Sequence, residues 1–320
     1  MKLGVMAALF GEVGLDGALE KCREYALDCI ELPVGYYGGK KLVDAGALLS
    51  DARARKAFQR KISDAGLEIS ALSAHGNPLH PERRIAEESH RRFQDAVRLA
   101  KKLGVEVVCG FSGCPGGSPA DRTPNWVTCA WPDDFAAIAT WQWEKKLIPY
   151  WKEQVRFASD HGVRIALEMH PGFSVYNADT LIRLREKCGK AIGANLDPSH
   201  LFWQGMDPLA CVRALAGCIW HVHAKDCRIE PATTAVKGVL DTRPYREVLA
   251  RSWVFCTVGY GHGPDFWGDF IRQLRAVGYD GAISIEHEDS LMSMSEGFGK
   301  AVALLKQLIL RERAGASWWQ

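Results

Sequence analysis

Apolar positions along the chain follow two rhythms in turn: a helix-like stretch closing on glycine, then a short β-rich run. DAGLEISALSAHG, KKLGVEVVCGFSG, SDHGVRIALEMHPG, EKCGKAIGANLDPSH and RAVGYDGAISIEHED all show it. Each glycine stands where a helix C-cap needs left-handed geometry, and the run behind it reads as the next strand. With KLGVMAAL, ALDCIELPV and LAGCIWHVHAKD, the pattern predicts strands near residues 2–8, 27–33, 67–74, 105–111, 163–169, 191–197, 218–224 and 281–287. Strands alternating with helices imply a parallel sheet, and eight such units imply an α/β fold closed into a (β/α)8 TIM barrel, typically about 250 residues before insertions. A doubly wound open sheet is the other arrangement, but the GxGxxG fingerprint of its dinucleotide-binding form is missing. The barrel is assigned to residues 1–310 as a single domain, with 311–320 as a C-terminal tail. Extra length falls in long loops after strands 4 and 7, at 112–150 (rich in Gly, Pro and Trp) and 226–264 (basic and aromatic). Both follow strands, so both belong to the face where barrels carry their sites.

Strand side chains alternate between faces, so the parity of each run is legible. One face takes Ile165, Leu167, Ile192, Ala194, Leu196, Trp220, Val222, Ala224, Ile283 and Ile285. The opposite face takes Ala166, Glu168 and His170, then Gly193, Asn195 and Asp197, then Ile219, His221, His223 and Lys225, and finally Ser284, Glu286 and Glu288. Four consecutive strands thus turn polar side chains inward, with a carboxylate or imidazole near each C-terminal end. Carboxylates packed in a barrel mouth repel one another and resist desolvation unless they share protons or a cation. Glu168, Asp197, His223 and Glu286 offer three oxygen ligands and one nitrogen. Such a hard set suits Mn²⁺ first, Mg²⁺ or Co²⁺ next, and Zn²⁺ less well. A salt-bridged or capping role explains any one of these residues; it explains four at matched depth poorly.

Composition narrows the partners. The 320 residues are 47% apolar and 24% charged, as in a globular chain, and the net charge of +2 is spread without Lys/Arg blocks. No nucleic acid or anionic membrane is therefore expected as a partner. No apolar run reaches the length of a membrane span, and residues 1–20 lack the form of a signal peptide. Ten cysteines without a CxxC pair read as reduced, mostly buried thiols in a cytoplasmic protein.

LEMHPG, NLDPSH, HVHAKD, VGYGHGPDFW, GYDGAISIEHED and SAHGNPLHP resemble, in order and spacing over nearly the whole chain, the sugar isomerase/epimerase branch of the xylose-isomerase-like TIM barrel superfamily. In ketose 3-epimerases of that group one metal is held by Glu, Asp, His and Glu from strands 5 to 8. The resemblance therefore implies metal ligation by Glu168, Asp197, His223 and Glu286, with Glu168 and Glu286 as the catalytic acid/base pair. It also implies substrate binding by His200, three residues after the aspartate. Those epimerases have an arginine six residues after the metal histidine. Ile229 stands there in this chain, with Arg228 one earlier and Lys225 closer in, so HVHAKD is nearer the broader isomerase, epimerase and inosose-dehydratase group.

Two carboxylates flanking a metal suit proton removal beside a carbonyl, through a metal-stabilised enediolate. Return of the proton on the opposite face epimerises a keto-sugar, return to the neighbouring carbon isomerises it, and loss of a β-substituent makes the protein a lyase or dehydratase of keto-glycosides or inososes. The expected partner is a small-molecule sugar, and the expected assembly a homo-oligomer, dimer or tetramer. Substrate contacts are expected from His200, His170, His75, Lys225 and Arg228, whereas His221 suits a buried hydrogen-bonded histidine. Trp126, Trp131, Trp141 and Trp143 suit either a sugar-stacking wall or packing of a lid or subunit contact, and Trp318 and Trp319 a C-terminal anchor or interface. An abasic-site endonuclease would need further histidines and a basic DNA-facing surface, neither of which is seen; a sugar-binding barrel without catalysis would not need both glutamates. GYGHGPDF offers glycines for a phosphate, but Asp265 at the helix start would compete for the same amides, so an unphosphorylated substrate is expected.

Overall fold

The computed structural model describes the chain except residues 36–38, 314, 316–318 and 320, so Trp318 lies outside the described residues. Its strands are β1 (Lys2–Met6), β2 (Cys29–Pro33), β3 (Glu68–Ser73), β4 (Val107–Phe111), β5 (Arg164–Glu168), β6 (Ile192–Leu196), β7 (Ile219–Ala224), β8 (Asp226–Ile229), β9 (Trp253–Cys256) and β10 (Ala282–Ile285). Strands β1 to β7 and β10 close into a barrel of parallel pairs, sealed where Leu3 and Val5 of β1 stand beside Ile283 and Ile285 of β10. β8 and β9 form a separate antiparallel ribbon.

Glycine punctuation ends the helices as the sequence pattern requires. Helix Arg83–Leu103 stops at Gly104, whose φ of 74° is left-handed and whose N–H donates to Ala100 O. The core lies between barrel and helices. Leu3, Val5, Ile30, Leu72, Ile165, Leu196 and Ile283 point outward from their strands into it and are essentially without solvent contact. Removing this apolar surface from water is the main stabilising contribution, at roughly 25 cal/mol per Å². The cysteines are free, and all but Cys129 and Cys188 are buried. Among the described residues no helix is long and apolar enough to cross a membrane.

Strict alternation fails at one place. Ala194 pairs with Ile219 but Asn195 pairs with His221, so the register of β6 and β7 slips by one residue at Trp220. The bulge reverses the expected faces of Ile219 and Trp220. Ile219 joins the outer core, whereas Trp220 packs with Ala71, Val107, Cys109 and Ala166 at the barrel floor. There the guanidinium of Arg164 lies 4.8 Å from its ring centre, and its Nε1 donates to Ala191 O at 3.1 Å. An extra residue in one strand re-aims a side chain in just this way.

The two insertions are more structured than loops. From Asp133 the first becomes helix Asp133–Trp141, which runs through a wider turn at Gln142–Leu147 into helix Ile148–Asp160. Its tryptophans do not form one wall: Trp131 is exposed, Trp143 is buried with Arg183 over its ring, Trp126 meets Tyr176 edge-on, and Trp141 lies under Lys146. The second insertion carries the β8–β9 ribbon and helix Pro231–Lys237, and its aromatics bury themselves against Phe202 and Trp203.

Gly193 makes room for the Trp220 plug, because a Cβ there would collide with the indole and with Cys218 O. Gly193→Ala should therefore destabilise the fold by about 1–3 kcal/mol through overpacking. Thermal unfolding against the unmodified protein measures this, and an unchanged midpoint would show that the plug yields freely.

Candidate active site

The C-terminal ends of β5, β6, β7 and β10 deliver Glu168, Asp197, His223 and Glu286 to one place, where one ligand atom from each lies within 4.8 Å of all the others. Glu168, Asp197 and His223 are buried, and Glu286 is partly open to a cavity of ≈ 960 Å³ in the barrel mouth. Strand pairing sets the common depth: Glu168 stands beside Asn195, Asn195 beside His221, and His223 beside Ser284.

Glu168 meets polar side chains from three neighbouring elements. His200 Nε2 donates to its Oε1 at 3.1 Å and Asn195 Nδ2 to its Oε2 at 3.3 Å. His75 Nε2 lies 3.3 Å from Oε2 but is not aligned for a hydrogen bond. Burial opposes ionisation of Glu168, yet the His200 and His75 contacts and the charge of His223 outweigh it and hold the carboxyl well below its ordinary value. Asp197 caps the short helix Pro198–Trp203 by accepting from Ser199 N at 2.8 Å with Oδ1. Its Oδ2 faces His200 Nε2 and Lys225 Nζ, each at 3.3 Å. Glu286 Oε2 lies 3.0 Å from His223 Nδ1 and 3.2 Å from Lys225 Nζ. Burial resists its charge too, but Lys225 and His223 bring its carboxyl down to about 2.

His223 is held from below by a residue that the sequence pattern had not singled out. Its Nε2 donates to Glu31 Oε2 at 2.9 Å, leaving Nδ1 toward Glu286 and Glu168. Glu31 also accepts from His221 Nε2 at 2.9 Å, and His221 meets Ser284 Oγ at 3.1 Å. Burial works against charge on His223, but Glu31 and Glu286 prevail and push the imidazole well above its ordinary value. The same contacts drive Glu31 well below its own. One signal in the sequence could have found it: Glu31 is the single charged residue of the wholly buried strand CIELP.

Of the other expected substrate contacts, His75, His170 and Lys225 line the cavity, while His200 lies beneath it. His170 is wedged between Phe111, which it meets edge-on, and the tilted ring of His200, with ring centres at 4.9 and 4.0 Å, and burial followed by the neighbouring His200 lowers it to about 3. Arg228 stands apart from these. It sits on the β8–β9 ribbon opposite Val254, exposed and outside the cavity lining, because the chain leaves the barrel at Asp226 and its later residues no longer follow the barrel's alternation. The segment after β1 was also missed: Leu9, Phe10, Gly11 and Val13 form the apolar side of the mouth.

The donor set fits a divalent ion. Asp197 Oδ2 and Glu286 Oε2 are buried without a hydrogen-bond partner, so lone pairs in the centre of the cluster are unclaimed. His223 presents Nδ1 to them while Glu31 fixes its other nitrogen, the carboxylate–histidine arrangement that orients metal-binding imidazoles. A second trio, Glu31, His221 and His223, also converges, but its atoms bond to one another.

Residues 19–308 match the family model of the xylose isomerase-like TIM barrel. The uncharacterized protein YfiH of Bacillus subtilis (strain 168) is 38% identical over 313 residues, 97% of this chain and 99% of that protein. The structure is similar to that of a D-tagatose 3-epimerase-like protein, with a TM-score of 0.64 and 21% identity over 96% of this chain and 97% of the other. It is also similar to the probable 3-DHS dehydratase AsbF of Bacillus anthracis, with a TM-score of 0.62 and 16% identity over 96% and 99%. Identities this low speak for the fold. The family match spans all but the first barrel strand, and from these observations the chain belongs to the xylose isomerase-like TIM-barrel family.

Proposed function

We propose that the protein is a divalent-metal-dependent isomerase or epimerase of keto-sugars that removes and returns a proton beside a carbonyl. One observation carries this reading: Glu168, Asp197, His223 and Glu286 converge at the mouth, and both glutamates line the cavity. An ion held by these four, Mn²⁺ by the hardness of the donors, would supply Lewis-acid polarisation of the substrate's oxygens. Against burial, the neighbouring histidines and Lys225 hold the carboxyls of Glu168 and Glu286 below their ordinary range, and both line the cavity where a substrate carbon would exchange its proton. His200 holds Glu168 by its Oε1 and fixes the direction of its free lone pairs. Lys225 offers N–H donors to a substrate oxygen, and His170 with Phe111 closes one wall against water. A proton taken by one glutamate and returned by the other on the opposite face gives the epimer; return to the adjacent carbon gives the isomer.

A lyase or dehydratase acting on keto-glycosides or inososes is the second reading, and Glu288 supports it. Glu288 stands half exposed at the rim; Lys225 pulls its carboxyl down, but partial desolvation and the adjacent Glu286 raise it, the direction that suits a proton donor to a departing hydroxyl.

An unphosphorylated substrate is supported by the glycine loop after β9. Gly259, Gly261 and His262 N–H, which a phosphate would need, all donate to Asp226 Oδ2 at 3.0–3.2 Å. Asp226, not Asp265, is the residue that claims them; Asp265 is exposed in the first turn of helix Pro264–Ala276. Exposed Val236, Leu240, Leu249 and Leu291 support association into a homo-oligomer.

At saturating Mn²⁺, Glu168→Gln and Glu286→Gln should each lower turnover by about 10² to 10⁴, the usual effect of removing a general base. A screen of ketoses, keto-glycosides and inososes for deuterium uptake from D₂O supplies the substrate. If either fully loaded variant turns over within a few-fold of the unmodified enzyme, that glutamate is a ligand alone.

Glu31→Gln leaves the four ligands intact but loosens His223, and should weaken Mn²⁺ binding by about 10- to 100-fold. Calorimetric titration with circular dichroism as a check on folding measures it; unchanged affinity would mean that Glu31 is only structural.

Binding through Nδ1 requires neutral His223, and although burial opposes its charge, Glu31 and Glu286 raise its pKa, so the ion competes with a proton there. Uptake of Mn²⁺ near pH 7 should therefore release about one proton, and affinity should rise with pH until the His223 pKa is passed. Titrations in two buffers of different ionisation enthalpy give the proton count; zero release would show that no proton leaves His223 on metal uptake.

A further inference from the structure

We infer that Lys225 is a built-in cation of the site, which pairs with Asp197 and Glu286 in the metal-free protein and is handed to Glu288 when a divalent ion takes those carboxylates. The inference rests on the metal reading above. Lys225 is 2% exposed, a rare state for a lysine, and stands between β7 and β8 at the floor of the mouth. Its Nζ lies 3.3 Å from Asp197 Oδ2 and 3.2 Å from Glu286 Oε2. Both contacts are within ion-pair distance, yet neither oxygen is hydrogen-bonded. The ammonium neutralises the two carboxylates without claiming their lone pairs.

A divalent ion on those same oxygens would stand a few ångströms from the ammonium, in a place poor in water where like charges repel strongly. Lys225 must then give way. Its backbone cannot, because the next residue, Asp226, accepts from Cys227, Gly259, Gly261 and His262 N–H and from the side chains of His262 and Trp267. The side chain can, since Glu288 Oε1 is already 3.8 Å from Nζ, on a residue half exposed at the rim. Phe255, whose ring centre lies 4.8 Å from Nζ, offers a π-face along which the cation can move. Metal loading thereby turns Lys225 from the ligands toward the cavity, where a substrate oxygen can meet it. Lys225 is in this sense a positioning residue whose readiness for substrate depends on metal, and metal should bind first.

Competition has a direct readout in metal affinity. Mn²⁺ titration followed by the EPR signal of the free ion, together with thermal unfolding of metal-free and loaded protein, compares the unmodified chain with Lys225→Met and Lys225→Gln. Removing the ammonium should lower the metal-free unfolding midpoint while tightening Mn²⁺ binding by about tenfold or more, since a like charge is lost beside the ion. Loaded unmodified protein, crystallised with Mn²⁺, should have Lys225 Nζ nearer Glu288 than Asp197; this arm needs no variant to fold. An unmodified protein that takes up no Mn²⁺ overturns both the metal reading and this one. Uptake by the unmodified protein with no tightening in either variant, or Lys225 still seated between Asp197 and Glu286 in the loaded crystal, overturns this one alone.

Discussion

Charge crowding governs this barrel mouth. Glu31, Glu168 and Asp197 are at most 3% exposed and Glu286 is only partly open, so four carboxylates are crowded together largely out of bulk water. Each ionised group carries a desolvation cost of several kcal/mol, which only nearby cations and hydrogen bonds can offset. The chain supplies them in a graded way: His221 and His223 on Glu31, His75 and His200 on Glu168, Lys225 on Asp197 and Glu286. The set still leaves Asp197 Oδ2, Glu286 Oε2 and Glu31 Oε1 without hydrogen bonds. A cluster satisfied in charge but not in hydrogen bonding is poorly designed for stability alone, and well suited to receive something.

Barrel closure makes the crowding possible. Parallel pairing holds neighbouring strands in fixed register, so side chains far apart in the chain arrive at one depth; Glu31 and His221 meet across 190 positions. The bulge at Trp220 takes part in this. By turning both Trp220 and His221 inward it spends one residue on plugging the floor and restores the phase in which His221 and His223 face Glu31. Floor and active site are thus set by the same irregularity, with apolar Ala71, Ala166 and the indole below and the ionised layer above.

The same geometry explains which parts of the site were legible beforehand. Eight barrel strands could be read because glycine caps and β-rich runs mark each helix-to-strand junction locally. Glu168, Asp197, His223 and Glu286 could be singled out because period-two alternation needs only one strand at a time, and the structure brings those four together. Glu31 stands out in CIELP only as a lone charge, because the partners that give it its role lie on β7, far away in the sequence. Trp220 was put on the wrong face because a bulge is a property of a strand pair. Arg228 was carried over by its distance from His223, a count that loses meaning once the chain departs at Asp226 into an antiparallel ribbon.

That departure point shows how one dipeptide divides two tasks. Lys225 and Asp226 are adjacent, so their side chains leave the backbone in opposite directions: the ammonium enters the mouth, the carboxylate goes under the glycine loop. Gly261 has to be glycine there, because a Cβ would strike Asp226 and Cys227. Asp226 is fully satisfied by amides, an imidazole and an indole, and needs no cation from outside. Lys225 is the reverse, surrounded by charge and hydrogen-bonded to none of it. A rigid anchor directly after a loosely held cation confines motion to one side chain. The ribbon therefore contributes to the site through the backbone that it immobilises at Asp226, although its own exposed residues, Arg228 among them, stay outside the mouth.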